Sequence, residues 1–235
     1  MKDIKKIAVI GASGGSGRYT VEALTALGHE VTAVSRSASN VFERNVRCID
    51  GSAMDKSILK EAIKGQDAVI VTLGISENPI RVRLFGTANT PADIRSAGTK
   101  LVIEVMEELG VKRLVVQTSF GTGPTNTNLR VLDKLFFNLI LKPQIRDTEL
   151  QDEYVRTSAL DWTITQPVHL TDNINATDAV FTSSEKQVGN WSVSRLLVGE
   201  VNAQVTFDSD KVGKTIVVST EHNKANEYCE PKLMS

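Results

Sequence analysis

The chain reads as short apolar runs separated by stretches in which apolar residues recur every three or four positions. The first pattern marks strands buried on both faces, the second amphipathic helices. Residues 6–10 form the first strand-like run. Residues 14–27 predict a helix, with Val21, Leu24 and Leu27 on one face and Gly28 placed to stop it. Residues 30–35 predict a second strand and 46–49 a short third. A helix over 55–63 is closed by Gly65, and DAVIVTL at 67–73 reads as a strand apolar on both faces. After an irregular stretch at 74–89, Thr90-Pro91-Ala92-Asp93 has the form of a helix start, with a capping threonine and proline at the first helical position. That helix is expected to run to Leu109, with Gly110 as its stop. Further strands are expected at 113–118, 161–165 (ending at Pro167) and 215–219. Further helices are expected at 129–142 and 146–157, separated by Pro143, and at 193–203.

Strands alternating with helices imply parallel pairing through right-handed crossovers. The predicted fold class is therefore α/β, a single doubly wound Rossmann-type parallel sheet over residues 1–220. Residues 221–235 are a polar tail.

Composition narrows the function. The 235 residues suit one α/β domain, and a net charge of -1 with no basic patch interleaved with aromatics gives no support for nucleic-acid binding. The longest apolar segment, 132–142, is too short and too charged for a membrane span. MKDIKK leads directly into a strand, so no signal peptide is expected. Cys48 and Cys229 are far apart, which fits a reducing, cytoplasmic setting. Scattered histidines and unpaired cysteines predict no metal site.

The chemistry is concentrated in GASGGSG. Gly11 permits a tight turn out of the strand, Gly14 lets a phosphate approach the backbone, and Gly17 lets the helix pack against the strand. The N–H groups of Gly14, Gly15 and Ser16 then face an anion at the positive end of the helix. A plain strand–helix turn is the alternative; the strand before, the helix after and the second strand on time favour a dinucleotide. The second strand ends in Ser35-Arg36-Ser37 rather than in an acid. An acid would accept from a free ribose 2′-hydroxyl and repel a 2′-phosphate. An arginine fork fits the 2′-phosphate of NADP(H), unless Arg36 is only a solvated surface cation.

With these residues placed, the chain resembles the atypical short-chain dehydrogenase/reductases, in particular the NmrA-like NAD(P)H-binding branch and its biliverdin-IXβ/flavin reductase group. The likeness spans roughly residues 5–220. It is carried by KKIAVIGASGGSG, EVTAVSRS, GQDAVIVTLG, GVKRLVVQTS and TSALDWTITQPVHLTDN. It implies about seven strands in the order 3-2-1-4-5-6-7, a small C-terminal substrate region, and NADPH as cofactor. By position it implies Ser13, Gly14, Gly15 and Ser16 on the pyrophosphate and Arg36 on the 2′-phosphate, with Ser37 beside it. Gly51 and Ser52 would lie on adenine, although family members usually carry an acid at the place of Ser52. Leu73 and Gly74 would lie along the adenosine, and Thr118 and Ser119 near the nicotinamide ribose. Pro167, Val168, His169 and Leu170 would line the nicotinamide, with His169 in the acceptor pocket.

The Tyr-x-x-x-Lys pair of ordinary superfamily members has no counterpart in a helix here. Tyr19 is followed four residues on by Ala23, Tyr154 by Ser158, and Tyr228–Lys232 is interrupted by Pro231. Reduction of an isolated ketone needs a positioned acid. A flavin, quinone or tetrapyrrole spreads the added charge and can take its proton from water or a weak donor. The expected activity is thus NADPH-dependent reduction of a small planar conjugated acceptor by a monomer or weak homo-oligomer. Ser119 and His169 are the catalytic candidates, Phe120 is a candidate ring wall or core residue, and Ser119 has the alternative of a plain strand-end hydroxyl. The rival reading is a non-catalytic NAD(P)-binding redox sensor.

Overall fold

The computed structural model describes residues 5–43, 45–74, 91–122, 125, 142–174, 180–183 and 187–221. All but Gly74 of the predicted irregular stretch at 74–89, nearly all of the expected helix at 129–142 and the tail beyond 221 lie outside the described residues. In chain order the elements are β1 (Lys6–Ile10), α1 (Gly15–Ala26), β2 (Glu30–Ser35), β3 (Arg47–Asp50), α2 (Lys56–Ile63), β4 (Ala68–Val71), α3 (Ile94–Leu109), β5 (Arg113–Gln117), α4 (Lys142–Thr157), β6 (Asp161–Pro167), β7 (His169–Thr171), β8 (Val180–Ser183), β9 (Ser192–Ser194), α5 (Arg195–Val205) and β10 (Lys214–Thr220).

Eight strands form one sheet in the order β3-β2-β1-β4-β5-β6-β10-β8, parallel except for β8. β7 and β9 pair separately as a two-stranded parallel unit. The first six positions and the parallel seventh are the doubly wound order expected. The antiparallel eighth strand and the small β7–β9 unit are additions.

Side chains alternate across the sheet as a strand requires. Ile7 and Val9 join the core under α1 and α5, whereas Ala8 and Ile10 join the core under α2, α3 and α4. Helix α1 packs on α5, and α3 packs on α2 and α4. Both faces of the central strands are therefore covered, which explains their continuous apolar runs.

Three expectations are corrected. Helix α3 begins at Ile94 rather than at Pro91, and Asp93 at its N-cap makes no side-chain cap bond. Its first N–H groups are met from α4: Asp147 accepts from Arg95 N at 3.2 Å and Ser96 N at 3.0 Å. The helix expected from Arg146 starts at Lys142, so Pro143 sits in the first turn of α4 rather than ahead of it; proline is tolerated in a first turn, where its missing N–H would have no partner. The helix expected at 193–203 starts at Arg195, after β9, with Ser194 Oγ accepting from Leu197 N at 3.2 Å.

Candidate functional site

The carboxyl ends of β1, β2, β4, β5 and β6 define one edge of the sheet, the edge where an open α/β sheet binds ligands. The glycine loop lies there. Gly11 has φ +90°, and a Cβ on it would come within 2.9 Å of the Thr72 carbonyl. A Cβ on Gly17 would overlap the Gly11 carbonyl and lie 2.6 Å from Thr72 Oγ1. The Thr72 hydroxyl in turn donates to the Gly11 carbonyl at 3.2 Å, tying the end of β4 to the loop. Gly14 and Gly15 are exposed, and α1 opens at Gly14 without a side-chain cap. The N–H groups of Gly15 and Ser16 in its first turn therefore have no intrahelical acceptor and open onto a cradle, whereas Gly14 N, expected to face the anion with them, is spent on the Gly11 carbonyl at 3.1 Å to close the turn. That cradle fits a phosphate.

Ser13 is half-buried at the rim. Ser16 is buried, and its hydroxyl accepts from Gln117 Nε2 at 3.2 Å, so its side chain points to the sheet while its N–H belongs to the loop. Arg18, one step further on, is paired with Glu22 at 2.8 Å.

At the next strand end, Arg36 is exposed and Ser37 half-buried, with Ser37 N donating to Ser35 Oγ at 3.3 Å. An acid absent from the sequence reasoning stands beside them: Asp50 pairs in register with Ser35. Its carboxylate accepts from Ser39 N at 2.9 Å and from the Ser39 hydroxyl. Those bonds hold the Asp50 carboxyl below the usual range. Asp50 is thus committed to the turn over 38–40. Gly51 N donates to the Ser35 carbonyl at 2.9 Å, and Ser52 Oγ accepts from Met54 N at 3.1 Å. Leu73 packs on the core, and a Cβ on the exposed Gly74 would lie 3.9 Å from Arg95 Nη2. Arg95 donates to Thr148 Oγ1 at 2.7 Å, and burial lowers its pKa against the opposing pull of Asp147.

The far half of the site is built by β5 and β6. Their pairing continues past the strands: Thr118 N donates to the Thr165 carbonyl at 2.9 Å and Phe120 N to the Pro167 carbonyl at 3.0 Å. Ser119 is therefore carried beside the 167–170 segment. Its half-exposed hydroxyl makes a long contact of 3.4 Å to the Phe120 carbonyl. Pro167 and Val168 are buried, and Val168 N donates to the Val218 carbonyl at 3.1 Å. His169 is exposed and Leu170 half-buried. Phe120 is 4% exposed and meets Trp191 edge to face at 5.6 Å, so it is core rather than a free ring wall. Tyr154 packs with the core under α3, with Lys100 Nζ 5.5 Å from its ring centre.

Beneath Thr118 and Ser119 lies an acid that sequence reasoning missed. Asp152 of α4 is 2% exposed, and Oδ2 accepts from Gln166 Nε2 at 3.0 Å and Thr122 Oγ1 at 3.4 Å. Burial raises its pKa to about 6, opposed by Arg156, whose guanidinium is 3.9 Å away. Thr118 Oγ1 lies near enough to influence the carboxyl, yet neither it nor Asp152 Oδ1 completes a hydrogen bond. Only the long-range packing of α4 on α3 and β6 distinguishes Asp152 from the exposed acids around it in the sequence.

Among the described residues, no helix is long and apolar enough to cross a membrane. Residues 11–209 match the NAD(P)H-binding family. UPF0659 protein YMR090W of Saccharomyces cerevisiae is 30% identical over 202 residues, covering 81% of this chain and 82% of the yeast protein. Among solved structures, the anaerobillin reductase ChuY from Escherichia coli O157:H7 superposes with TM-score 0.75 at 23% identity, covering 93% of this chain and 98% of ChuY. A Veillonella parvula short-chain dehydrogenase/reductase in complex with NADP gives TM-score 0.74 at 18% identity, covering 98% and 100%. The glycine cradle at the edge of a doubly wound sheet and the match across 11–209 agree: the chain belongs to the NAD(P)H-binding family.

Proposed function

We propose that the protein is an NADPH-dependent reductase acting on a planar conjugated acceptor, a flavin, quinone or tetrapyrrole, without a Tyr-Lys pair. The observation that carries the cofactor reading is the end of β2. Arg36 stands exposed there, and Asp50, which pairs with Ser35, is spent on Ser39. A 2′-phosphate at this position meets the Arg36 cation, while the Asp50 carboxylate is turned onto Ser39. Fold neighbours that include an anaerobillin reductase and a protein solved with NADP are consistent with it.

When bound, NADPH supplies a hydride from the nicotinamide C4. The N–H groups of Gly15 and Ser16 would hold its pyrophosphate, with Gly14 leaving room for it to approach the backbone, and Arg36 and Ser37 would hold its 2′-phosphate. Gly51, Ser52, Leu73 and Gly74 border the adenosine. Thr118 and Ser119 border the nicotinamide ribose, and the 167–170 segment borders the ring. The Ser119 hydroxyl holds ribose or acceptor, and the exposed His169 orients the acceptor at the rim. Among the described residues, Tyr154 packs with the core beside Lys100 and Tyr19 lies within α1, so neither stands beside Ser119 as a proton donor, and a delocalised product needs none.

The test titrates NADPH and NADH into wild type and Arg36→Ala. NADPH binds wild type more tightly than NADH, and Arg36→Ala loses roughly ten- to a hundredfold in NADPH affinity. Equal affinities in wild type would remove the NADPH assignment. NADPH oxidation is then followed against flavins, quinones, biliverdin and aldehydes. Tight binding with no turnover on any acceptor would make the protein a cofactor-sensing regulator instead.

A further inference from the structure

The glycine loop is overlaid by the neighbouring helix α5, which is distant in sequence. Arg195, the first residue of α5, lays its side chain across Gly15: a Cβ there would collide with Arg195 Cδ and lie 2.7 Å from Nε. The frame around Arg195 is fixed at two ends. Helix α5 meets α1 at Gly199, whose absent Cβ would fall 2.7 Å from Thr20 N. Asn202 on the same stripe donates to Thr20 Oγ1 at 3.3 Å. Residues 195, 199 and 202 are spaced by four and three, one face of a helix, and they oppose positions 15 and 19–20 of α1. At the other end, β7 and β9 pair Thr171 with Ser194, so Asp172 and Arg195 leave the two strands side by side. Arg195 Nη1 donates to Asp172 Oδ1 at 2.6 Å.

We propose that Arg195 is a cofactor-phosphate residue, which takes a pyrophosphate oxygen at the glycine loop and gives up Asp172 to do so. The proposal rests on the reading that this loop holds a dinucleotide pyrophosphate. The loop itself offers N–H dipoles. The nearby Arg18 is engaged by Glu22, and Arg36 belongs to the other end of the cofactor. Arg195 brings a full charge to the pyrophosphate, in a fork whose geometry matches phosphate oxygens. Its present partner is a weak competitor. The Asp172 side chain is 87% exposed, and exposed ion pairs contribute little. The exchange therefore costs little, and the rigid α1–α5 contact keeps the guanidinium over the loop in both states.

Binding of NADPH and of 2′-AMP, which carries the 2′-phosphate but no pyrophosphate, separates the roles. Both are measured by calorimetry on wild type, Arg195→Ala, Arg195→Lys and Asp172→Asn. Arg195→Ala is expected to weaken NADPH about ten- to a hundredfold and to leave 2′-AMP unchanged. Arg195→Lys recovers part of the loss, and Asp172→Asn binds NADPH as tightly as wild type or tighter. Unchanged NADPH affinity in Arg195→Ala overturns the proposal. So does a parallel loss of NADPH and 2′-AMP, which marks structural damage, or a loss in Asp172→Asn as large as in Arg195→Ala. If wild type binds 2′-AMP but no intact dinucleotide, the placement of a pyrophosphate on this loop fails, and the role of Arg195 fails with it.

Discussion

Gln117 on β5 donates through Nε2 to Ser16 Oγ on α1 across 3.2 Å, joining the strand that leads into Ser119 to the helix turn that follows the glycine loop. Gln117 is held in turn by α5: its Oε1 accepts from Asn202 Nδ2 at 3.0 Å. Asn202 Oδ1 accepts from the buried Thr165 hydroxyl at 2.8 Å. One asparagine thus couples β5, β6, α1 and α5 directly behind the site.

Asn202→Leu keeps the volume and removes the hub. The fully buried Thr165 hydroxyl and the half-buried Gln117 carbonyl lose their partners. The expected destabilisation is about 2–4 kcal/mol by urea unfolding, the sum of one to two orphaned polar groups. A change below about 0.5 kcal/mol, the range of ordinary surface substitutions, would show that the network is not coupled.

Two glycines separate steric from conformational cost. At Gly28, φ is +85° and a Cβ would meet nothing within 4 Å. Gly28→Ala therefore costs only the left-handed backbone, about 1–2 kcal/mol. At Gly17 a Cβ would overlap the Gly11 carbonyl and crowd Thr72 Oγ1. Relief there requires moving α1 away from β1 and β4. Gly17→Ala should cost more than about 3 kcal/mol, beyond ordinary overpacking, and abolish NADPH binding, while Gly28→Ala binds normally. Thermal melts of both variants with and without NADPH make the comparison.

The central sheet was legible because its strands are buried on both faces, so KIAVI, EVTAVS and AVIV stand out as apolar runs. Gly110 gave a helix end directly, since only its left-handed φ of 73° closes α3. The strands β7 and β9 were not legible: HLT and SVS are three residues long and carry no apolar run. The start of α3 was misplaced because its cap, Asp147, comes from a helix some fifty residues later. In the site, the glycine loop and the Ser35-Arg36-Ser37 turn are local in sequence and could be read from it. Arg195 over Gly15 and Asp152 under Thr118 arise from long-range packing. In the sequence they look like any solvated charge.

His169 tests the source of the proton. It is exposed just past the end of β6. If it only orients an acceptor that takes its proton from solvent, His169→Ala lowers turnover about tenfold or less and leaves the shape of the pH–rate profile intact. A loss near ten-thousandfold, with one limb of the profile removed, would make His169 the general acid.

Asp152 sets a pH dependence of stability whose sign follows from burial. Its folded pKa of about 6 lies above the unfolded value near 3.9. Between these values the folded state binds the extra proton, so this group makes the protein less stable as pH rises from about 4 to 6. Below that window the acid is neutral in both states and its penalty vanishes. Above it the buried carboxylate, which Arg156 approaches only to 3.9 Å, costs about 3 kcal/mol. Asp152→Asn keeps an acceptor for Gln166 and Thr122 and cannot ionise. Urea unfolding of both proteins from pH 4 to 8 should give curves that meet near pH 4 and separate through pH 6, with the asparagine variant the more stable at pH 7. Parallel curves across that range would mean that the Asp152 carboxyl titrates alike in the folded and unfolded chain. The Arg156, Thr122 and Gln166 contacts would then fully offset its burial.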